Sequence, residues 1–404
     1  MSDSPLEPTA RALVAALAEQ RERYEALRAP LGAARTPADA LGLGRELREV
    51  DRGLVQLRDS SMRQHKMLSQ ALKHADYQEE LRVDERRLLR RLSRLRKSTR
   101  PVVIGPWSGE VGFELLYWIP FVTWAVETAG IAPERIVVVS RGGPESWYAH
   151  LGGRYLDALS YVEADTFRAH TQEMKKQRRV GPFDRDLLRR VIRANGISRP
   201  MLLHPGAMYT LFYPFWKQKT TVQRIERFTR PRLIARPALP ELASRLPAEY
   251  VAVRFYFSDS FPDTPETRAF VESTLRALTD AGDVVLLNTA FRLDDHSDYA
   301  QARSGRVHVV DDLMTPARNL DVQTAVIAGA RAFVGTYGGY AYLAPLLGVP
   351  TLAFYAVRDG WFAHHLELAE RVFRGLGAAP LTTLDVRAVA LLRLAIETPP
   401  RTPK

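Results

Sequence analysis

Two adjacent glycines, Gly338 and Gly339, stand where an apolar run gives way to a short helix, in Gly335-Thr-Tyr-Gly-Gly-Tyr-Ala-Tyr-Leu-Ala-Pro-Leu-Leu-Gly-Val-Pro350. Without Cβ atoms, such residues let backbone N–H groups close on an anion, and the helix dipole favours negative charge at that end. Tight packing explains a glycine pair equally well. Arg254 closes another apolar run, Tyr250-Val-Ala-Val-Arg. A planar, always-charged guanidinium suits phosphate oxygens and the charge that develops on a leaving diphosphate. Asn288 and Thr289 end a further strand at the same edge, Asp311 and Asp312 end another, and Arg358 and Asp359 follow a third. These rim groups either meet a base or ribose or simply close their strands. Glu110 and Glu114 follow the first strand, in Gly109-Glu-Val-Gly-Phe-Glu114. A carboxylate at the mouth of a cleft can take a proton from a hydroxyl; either glutamate can equally start the following helix.

Other chemistries have little to stand on. The chain of 404 residues has no cysteine, which removes disulfides, thiolate nucleophiles, zinc fingers and iron–sulfur clusters. Asp184-Arg-Asp186 has the form of a metal-binding Asp-x-Asp, but it opens a helical run and reads as a charged helix start. His364 and His365 are consecutive and leave a helix in different directions, a poor chelate, so no metal is expected. Neither a dinucleotide fingerprint, a Walker loop nor a Gly-x-Ser-x-Gly elbow is present. The formal net charge of +11 favours an anionic partner. The basic residues are spread over several segments without a nucleic-acid signature, so nucleic acid is not expected.

The elements that must carry these residues fall into three stretches. Residues 1–98 are rich in Ala, Leu, Arg and Glu and predict helices over 9–28 and about 45–96, broken at Pro30, Gly32 and Pro37. Leu47, Val50, Leu54, Leu57, Leu68, Ala71, Ala75, Leu89 and Leu92 keep a heptad phase that polar residues interrupt, so a helical hairpin and an oligomeric coiled coil both fit. Nine basic residues between Arg82 and Arg100 face Asp84 and Glu85, as a solvated face or one that meets an anionic membrane. From 99 to 240 strands at 101–104, 135–140, 160–162 and 201–204 alternate with helices. Lys175, Lys176, Arg178 and Arg179 precede the aromatics Tyr209, Phe212, Tyr213, Phe215 and Trp216, suited to an acceptor sugar, a membrane interface or ordinary core. Prolines 231, 237, 240 and 247 mark a linker. From 241 to 404 the alternation resumes, with a helix capped by Thr264 and begun by Pro265. Two βαβ series imply parallel sheets whose ligands bind beyond the carboxyl ends of the strands.

The stretch 325–355, AVIAGARAFVGTYGGYAYLAPLLGVPTLAFY, resembles the donor-binding region of GT-B glycosyltransferases, above all the heptosyltransferase-like group. That resemblance implies a nucleotide sugar held by Thr336, Tyr337, Gly338, Gly339 and Tyr340. The family's Asp-x-Gly-Pro-x-His is here Tyr337-Gly-Gly-Tyr-Ala-Tyr342, so a particular donor sugar does not follow. Phe113-Glu-Leu-Leu-Tyr-Trp-Ile-Pro120 is similar to the family's Gly-Asp-Val-Leu-x-x-x-Pro, which would make Glu114 the base, with Glu110 competing. Arg254 matches a basic residue that several GT-B groups set against the donor diphosphate.

The expectation is an α/β chain of two Rossmann-like domains, 99–240 for the acceptor and 241–404 for the nucleotide sugar, after a helical region. Its function would be metal-independent, inverting glycosyl transfer to a glycan, lipid-linked or protein acceptor. Catalytic Glu114 or Glu110 would act opposite donor contacts from Arg254, Asn288, Thr289, Asp312, Thr336–Tyr340 and Arg358. No cofactor is implied. A cytoplasmic site with peripheral membrane contact, and self-association through 1–98, complete it. The alternatives are a non-catalytic scaffold and a sugar-nucleotide epimerase.

Overall fold

The computed structural model describes residues 7–33, 37–173, 176–237, 239–289, 297–299, 304–358 and 362–389; Lys175 and Asp359 lie outside them. The chain forms two compact units, 1–83 and 84–404. In the first, helix α1 (Glu7–Ala33) runs through Pro30, and α2 (Pro37–Lys97) begins eight residues before the expected Arg45. Pro37 opens α2 as its first helical residue, where its missing N–H costs nothing. Gln20 of α1 abuts Gly53 of α2, where an added Cβ would lie 2.7 Å from Gln20 Oε1, so the helices are paired at that level. The heptad seam is not continuous: Val50 is buried, whereas Leu54 is 42% exposed.

The second unit takes in the last turns of α2. Leu88, Leu92 and Leu95 form an i, i+4, i+7 stripe buried in its core, while Leu89 faces outward. Arg224 and Arg227 hold Glu85 at 2.6 and 3.2 Å, and Arg135 Nη2 donates to Leu95 O at 3.0 Å. The expected boundary after residue 98 is therefore displaced: the body begins at Asp84 because this stripe belongs to its core.

The first half of the body is a four-stranded parallel sheet of β1 (Val102–Ile104), β2 (Ile136–Ser140), β3 (Arg154–Asp157) and β4 (Met201–Leu203), in the order β3-β2-β1-β4. The strand expected at 160–162 lies earlier, as β3. Asp157 Oδ1 accepts from Leu159 N at 2.9 Å and turns the chain into a single 3-10 turn at Ala158–Ser160. Helices α3 (Ile119–Ala129), α4 (Pro182–Ala194) and α5 (Gly206–Trp216) belong to this half.

The second half is a six-stranded parallel sheet. Its strands are β5 (Tyr250–Arg254), β7 (Asp283–Leu286), β9 (Val307–Val309), β10 (Ala332–Thr336), β11 (Thr351–Tyr355) and β12 (Leu381–Asp385), ordered β12-β11-β10-β5-β7-β9. Between them, β6 (Tyr256–Phe257) pairs antiparallel with β8 (Ser297–Asp298). Helices α6 (Pro265–Ala281), α7 (Asn319–Gly329), α8 (Gly339–Leu346) and α9 (Phe362–Leu376) accompany them. Thr264 caps α6 as its sequence requires, Oγ1 accepting from Thr267 N at 3.3 Å.

The linker is tied to both halves: Arg230 N donates to Pro120 O at 2.8 Å and Ile234 N to Leu346 O at 3.0 Å. Leu320 N also donates to Gly142 O at 2.8 Å, and Trp147 Nε1 to Thr324 Oγ1 at 3.0 Å. The body is thus a pair of Rossmann-like halves, with the loop after β1 packed against the start of the helix that follows β10. Among the described residues no helix is long and apolar enough to cross a membrane.

Candidate active site

The candidate site is built from two loops that meet where Gly339 packs on Val111 and Gly112. On the second half, β10 ends at Thr336, whose hydroxyl donates to Tyr256 O and accepts from Tyr256 N, each at 3.0 Å. Thr336 is fully buried and ties β10 to β6. Tyr337 is buried beside it, its N donating to Phe354 O at 2.8 Å and its hydroxyl accepting from Tyr342 at 2.6 Å. Both residues, expected at the donor, instead form the framework beneath the loop. Gly338 has φ +154°, and a Cβ there would sit 1.9 Å from the Tyr256 hydroxyl. Gly339 opens α8 against the other half: its Cβ would be 2.7 Å from Val111 Cβ and 2.8 Å from Gly112 N. Only glycine fits at either position. The first N–H groups of α8 accordingly start at the seam between the halves, where an anion would be favoured.

Arg254 stands next to that start, its guanidinium 4.0 Å over the ring of buried Tyr340. Its Nε and Nη2 donate to Asp298 Oδ1 at 3.1 and 2.9 Å, and Nη1 donates to Gln323 Oε1. Asp298 Oδ2 also accepts from Thr289 N at 3.0 Å and Thr289 Oγ1 at 3.1 Å. A two-residue strand thus gathers Arg254 and Thr289 around one carboxylate. Asn288, the preceding residue, has a buried Oδ1 without a hydrogen-bond partner among the described residues. Two expected members stand apart. Asp312 is exposed and paired with Arg245 at 2.8 Å, because it lies on the 3-10 turn after β9 rather than at the strand end. Arg358 is exposed and donates to the Tyr355 hydroxyl at 2.6 and 3.1 Å.

On the first half, the loop after β1 leads into a short helical turn, Val111–Phe113, and then a single π-helical turn, Glu114–Trp118. That turn swings Glu114 inward. Its carboxylate is wholly buried and accepts from Ser140 Oγ at 2.6 Å, Tyr148 Oη at 2.6 Å and Arg141 Nη1 at 2.8 Å. Burial pushes the Glu114 carboxyl above its ordinary value, while Arg141 and the two hydroxyls pull it back. Arg141 Nη2 donates onward to Gly109 O at 2.5 Å, so the pair fixes the loop that carries Glu110. Glu114, expected as a base, is wholly buried and, through Arg141, anchors that loop. Glu110 is exposed at the start of Val111–Phe113, and its side chain makes no cap hydrogen bond. Its charge is felt by the flanking groups: burial raises Tyr209 and the Glu110 charge adds to that rise, and on Lys176 the same charge opposes the downward pull of burial.

Aromatic rings wall this side. Phe113 lies 5.3 Å from Trp216 and 5.1 Å from His365, and Lys176 Nζ stands 5.6 Å from the Phe113 ring centroid. His365 Nδ1 is 2.8 Å from the Tyr117 hydroxyl. Burial, with Lys176 and His364 adding to it, pulls His365 down to about 3. Gln177 next in sequence is buried: its Oε1 accepts from Ser108 N at 2.9 Å, and its Nε2 donates to Pro106 O at 3.0 Å and Asp184 Oδ1 at 3.2 Å. Asp184 accepts from Gly181 N at 2.7 Å and lies 3.3 Å from His204 Nε2, so it holds backbone and histidine in place. His365 is likewise committed to the aromatic wall.

The structure therefore brings together Gly338, Gly339, Tyr340, Arg254 and Thr289, with Asn288 preceding Thr289 and Glu110 preceding the Val111–Gly112 contact. Arg141, Gln323, Asp298, Gln177 and His365 were not singled out as functional. Arg141 carries the same signal as Arg254, a basic residue just after an apolar strand, and Gln323 is polar within the apolar helix α7. Asp298 has no comparable mark.

No protein-family model and no curated protein sequence matches this chain. Among solved structures it is similar to the dodecameric iron-containing glycosyltransferase TibC of enterotoxigenic E. coli H10407, with 14% identity over 63% of this chain and 58% of that one, at TM-score 0.33. The chain thus spans under two thirds of TibC's length. It is also similar to a glycosyl transferase family 9 protein of Veillonella parvula, with 10% identity, 75% and 91% coverage, and TM-score 0.39. E. coli heptosyltransferase WaaC with ADP gives 17% identity, 73% and 99% coverage, and TM-score 0.36.

Proposed function

We propose that the protein transfers a glycosyl group from a nucleotide sugar to a hydroxyl of a glycan, lipid-linked or protein acceptor. The observation that carries this reading is the meeting of Gly339 with Val111–Gly112, which sets an anion-favouring helix start beside the exposed carboxylate of Glu110. The first N–H groups of α8 and Arg254 receive the donor diphosphate, with Asn288 and Thr289 at its base or ribose. The acceptor stacks on the Phe113–Trp216 wall, and Glu110 takes its proton as the oxygen bonds to the anomeric carbon. The bond from that carbon to the diphosphate oxygen breaks, and the nucleotide leaves with the electron pair. A single displacement of this kind inverts the centre. Arg254 and the helix start supply the positive charge, so the proposal includes no metal. Self-association through 1–98 and peripheral contact of a cytoplasmic enzyme with a membrane belong to the same proposal.

Thermal unfolding with UDP, GDP, ADP, CMP and dTDP, each with and without Mg²⁺, tests the donor side. A ligand at a hundred times its dissociation constant stabilises the fold by about 2.7 kcal/mol. One nucleotide standing out without metal supports the reading; no shift with any of them overturns it. Glu110→Gln then tests the base: the nucleotide shift should persist while transfer falls by about a hundredfold or more. Full transfer by that variant removes Glu110 from the mechanism.

A further inference from the structure

A second charged site lies in the first half, on the other side of α5. Tyr209, Phe212 and Trp216 of that helix face the aromatic cluster, whereas Gly206, Ala207 and Thr210 line a cavity of about 620 Å³. Arginines surround it: Arg87, Arg91 and Arg94 from the end of α2, and Arg178 and Arg179 from the segment before α4. Asp84 is the one acid in its lining, and it pairs with Arg87 at 3.3 Å. Among the described residues no carboxylate pairs with the other four. Arg91 donates to Leu202 O, and Arg178 lies 3.9 Å over the Tyr213 ring.

That gathering departs from the habit of this protein. Its exposed arginines elsewhere are commonly matched to acids, as in Arg190–Asp186, Arg268–Asp263, Arg371–Glu226 and Arg387–Asp385. Like charges held together without a counter-charge repel, and burial with the neighbouring Arg94 charge pulls Arg91 below its ordinary value. The surroundings are fixed nonetheless. Leu88, Leu92 and Leu95 anchor the helix, and His204, held by Asp184 at 3.3 Å, lines the cavity. The volume falls in the range of small-molecule sites, about 300–1,000 Å³. Guanidinium forks match phosphate oxygens two at a time.

We infer that this cavity binds a phosphate-bearing group, a diphosphate or phosphomonoester, at a site separate from the Gly338–Gly339 cleft. The inference stands independently of glycosyl transfer. The group belongs either to a soluble molecule or to a lipid headgroup, and the arginines recognise the same chemistry in both.

The test uses the full chain, the double variant R94Q/R179Q, and R96Q/R193Q as a control of equal charge change outside the cavity lining. Calorimetry measures binding of inorganic pyrophosphate. Flotation measures binding to phosphatidylcholine vesicles with and without about one fifth phosphatidic acid. Losing two charge-assisted contacts should weaken binding in R94Q/R179Q by about tenfold or more while R96Q/R193Q stays near the parent. The thermal shift given by nucleoside diphosphates should be the same in all three proteins. Cavity-dependent binding of pyrophosphate assigns a soluble ligand; cavity-dependent flotation with phosphatidic acid alone assigns a headgroup, and either supports the inference. Absence of binding in both arms, or equal weakening by both double variants, overturns it.

Discussion

Two arginines invite comparison. Arg141 directly follows β2 of the first sheet, and Arg254 closes β5 of the second; each pairs with a carboxylate beyond its strand. Their partners differ in what else they hold. Glu114 is sealed, receiving three donors inside the core, and the pair serves to immobilise Gly109. Arg254 and Asp298 retain 12% and 9% exposure, and the guanidinium lies over Tyr340 at the start of α8. The same device is sealed within the core in one half and, in the other, lies over Tyr340 at the start of α8. Depth separates them, and depth is set by which residues follow: a π-helical turn in one case, a two-residue strand in the other.

The largest expected effect breaks the sealed pair. Glu114→Gln leaves Arg141 buried without its counter-charge and should cost about 3–5 kcal/mol of stability, read as the midpoint of denaturant unfolding. An unchanged midpoint with abolished transfer would move Glu114 back into the chemistry. Arg254→Gln should act the other way. Asp298 keeps its two Thr289 donors, so unfolding changes less, whereas transfer efficiency should fall about a hundredfold, near 2.7 kcal/mol. Arg254→Lys should rescue little, since one ammonium cannot reproduce the fork.

A smaller effect concerns acidity. His365, from α9, stays neutral in the folded protein down to about 3, whereas the unfolded chain takes up its proton near 6.5. The unfolded state then binds more protons between those values, so stability should decline as pH falls through them, by up to about 1.4 kcal/mol per unit. His365→Asn should flatten that part of a stability–pH curve; an identical slope would place the titration elsewhere. Thr264→Ala is the smallest and the yardstick. It removes the α6 cap, away from both arginines, and should cost about 1 kcal/mol in unfolding with transfer unchanged. A larger cost to transfer than to stability there would mean that α6 couples to the cleft.

Much of this architecture was legible in the residues. The β-branched run Ile136–Ser140 and the apolar run Thr351–Tyr355 became strands where alternation with helices required them, and the glycine pair marked the start of α8. Less legible was anything that depends on depth. Spacing to Pro120 made Glu114 equivalent to a cleft carboxylate, but its inward turn is a departure from regular α-helix that periodicity does not register. Thr336 and Tyr337 sit in a polar, cleft-like sequence, yet hydrogen bonds to Tyr256 and Tyr342 absorb them. Asp298 lies in a two-residue strand too short to leave a pattern. The body's start at Asp84 was hidden because the heptad phase ran through Leu89 and Leu92, whereas the buried stripe is Leu88, Leu92 and Leu95 and shares only Leu92 with it.

The contact of Gly339 with Val111 and Gly112 has a bearing on how the two halves can move. Gly339, the first residue of α8, meets the other half with no side chain of its own to act as a cushion. A cushion can be compressed or swung to another rotamer; a backbone cannot. The added methyl group of Gly339→Ala would land 2.8 Å from Gly112 N, inside any tolerable separation, so the halves themselves must give way. That single carbon would act as a doorstop, yielding a form of the protein that is held ajar.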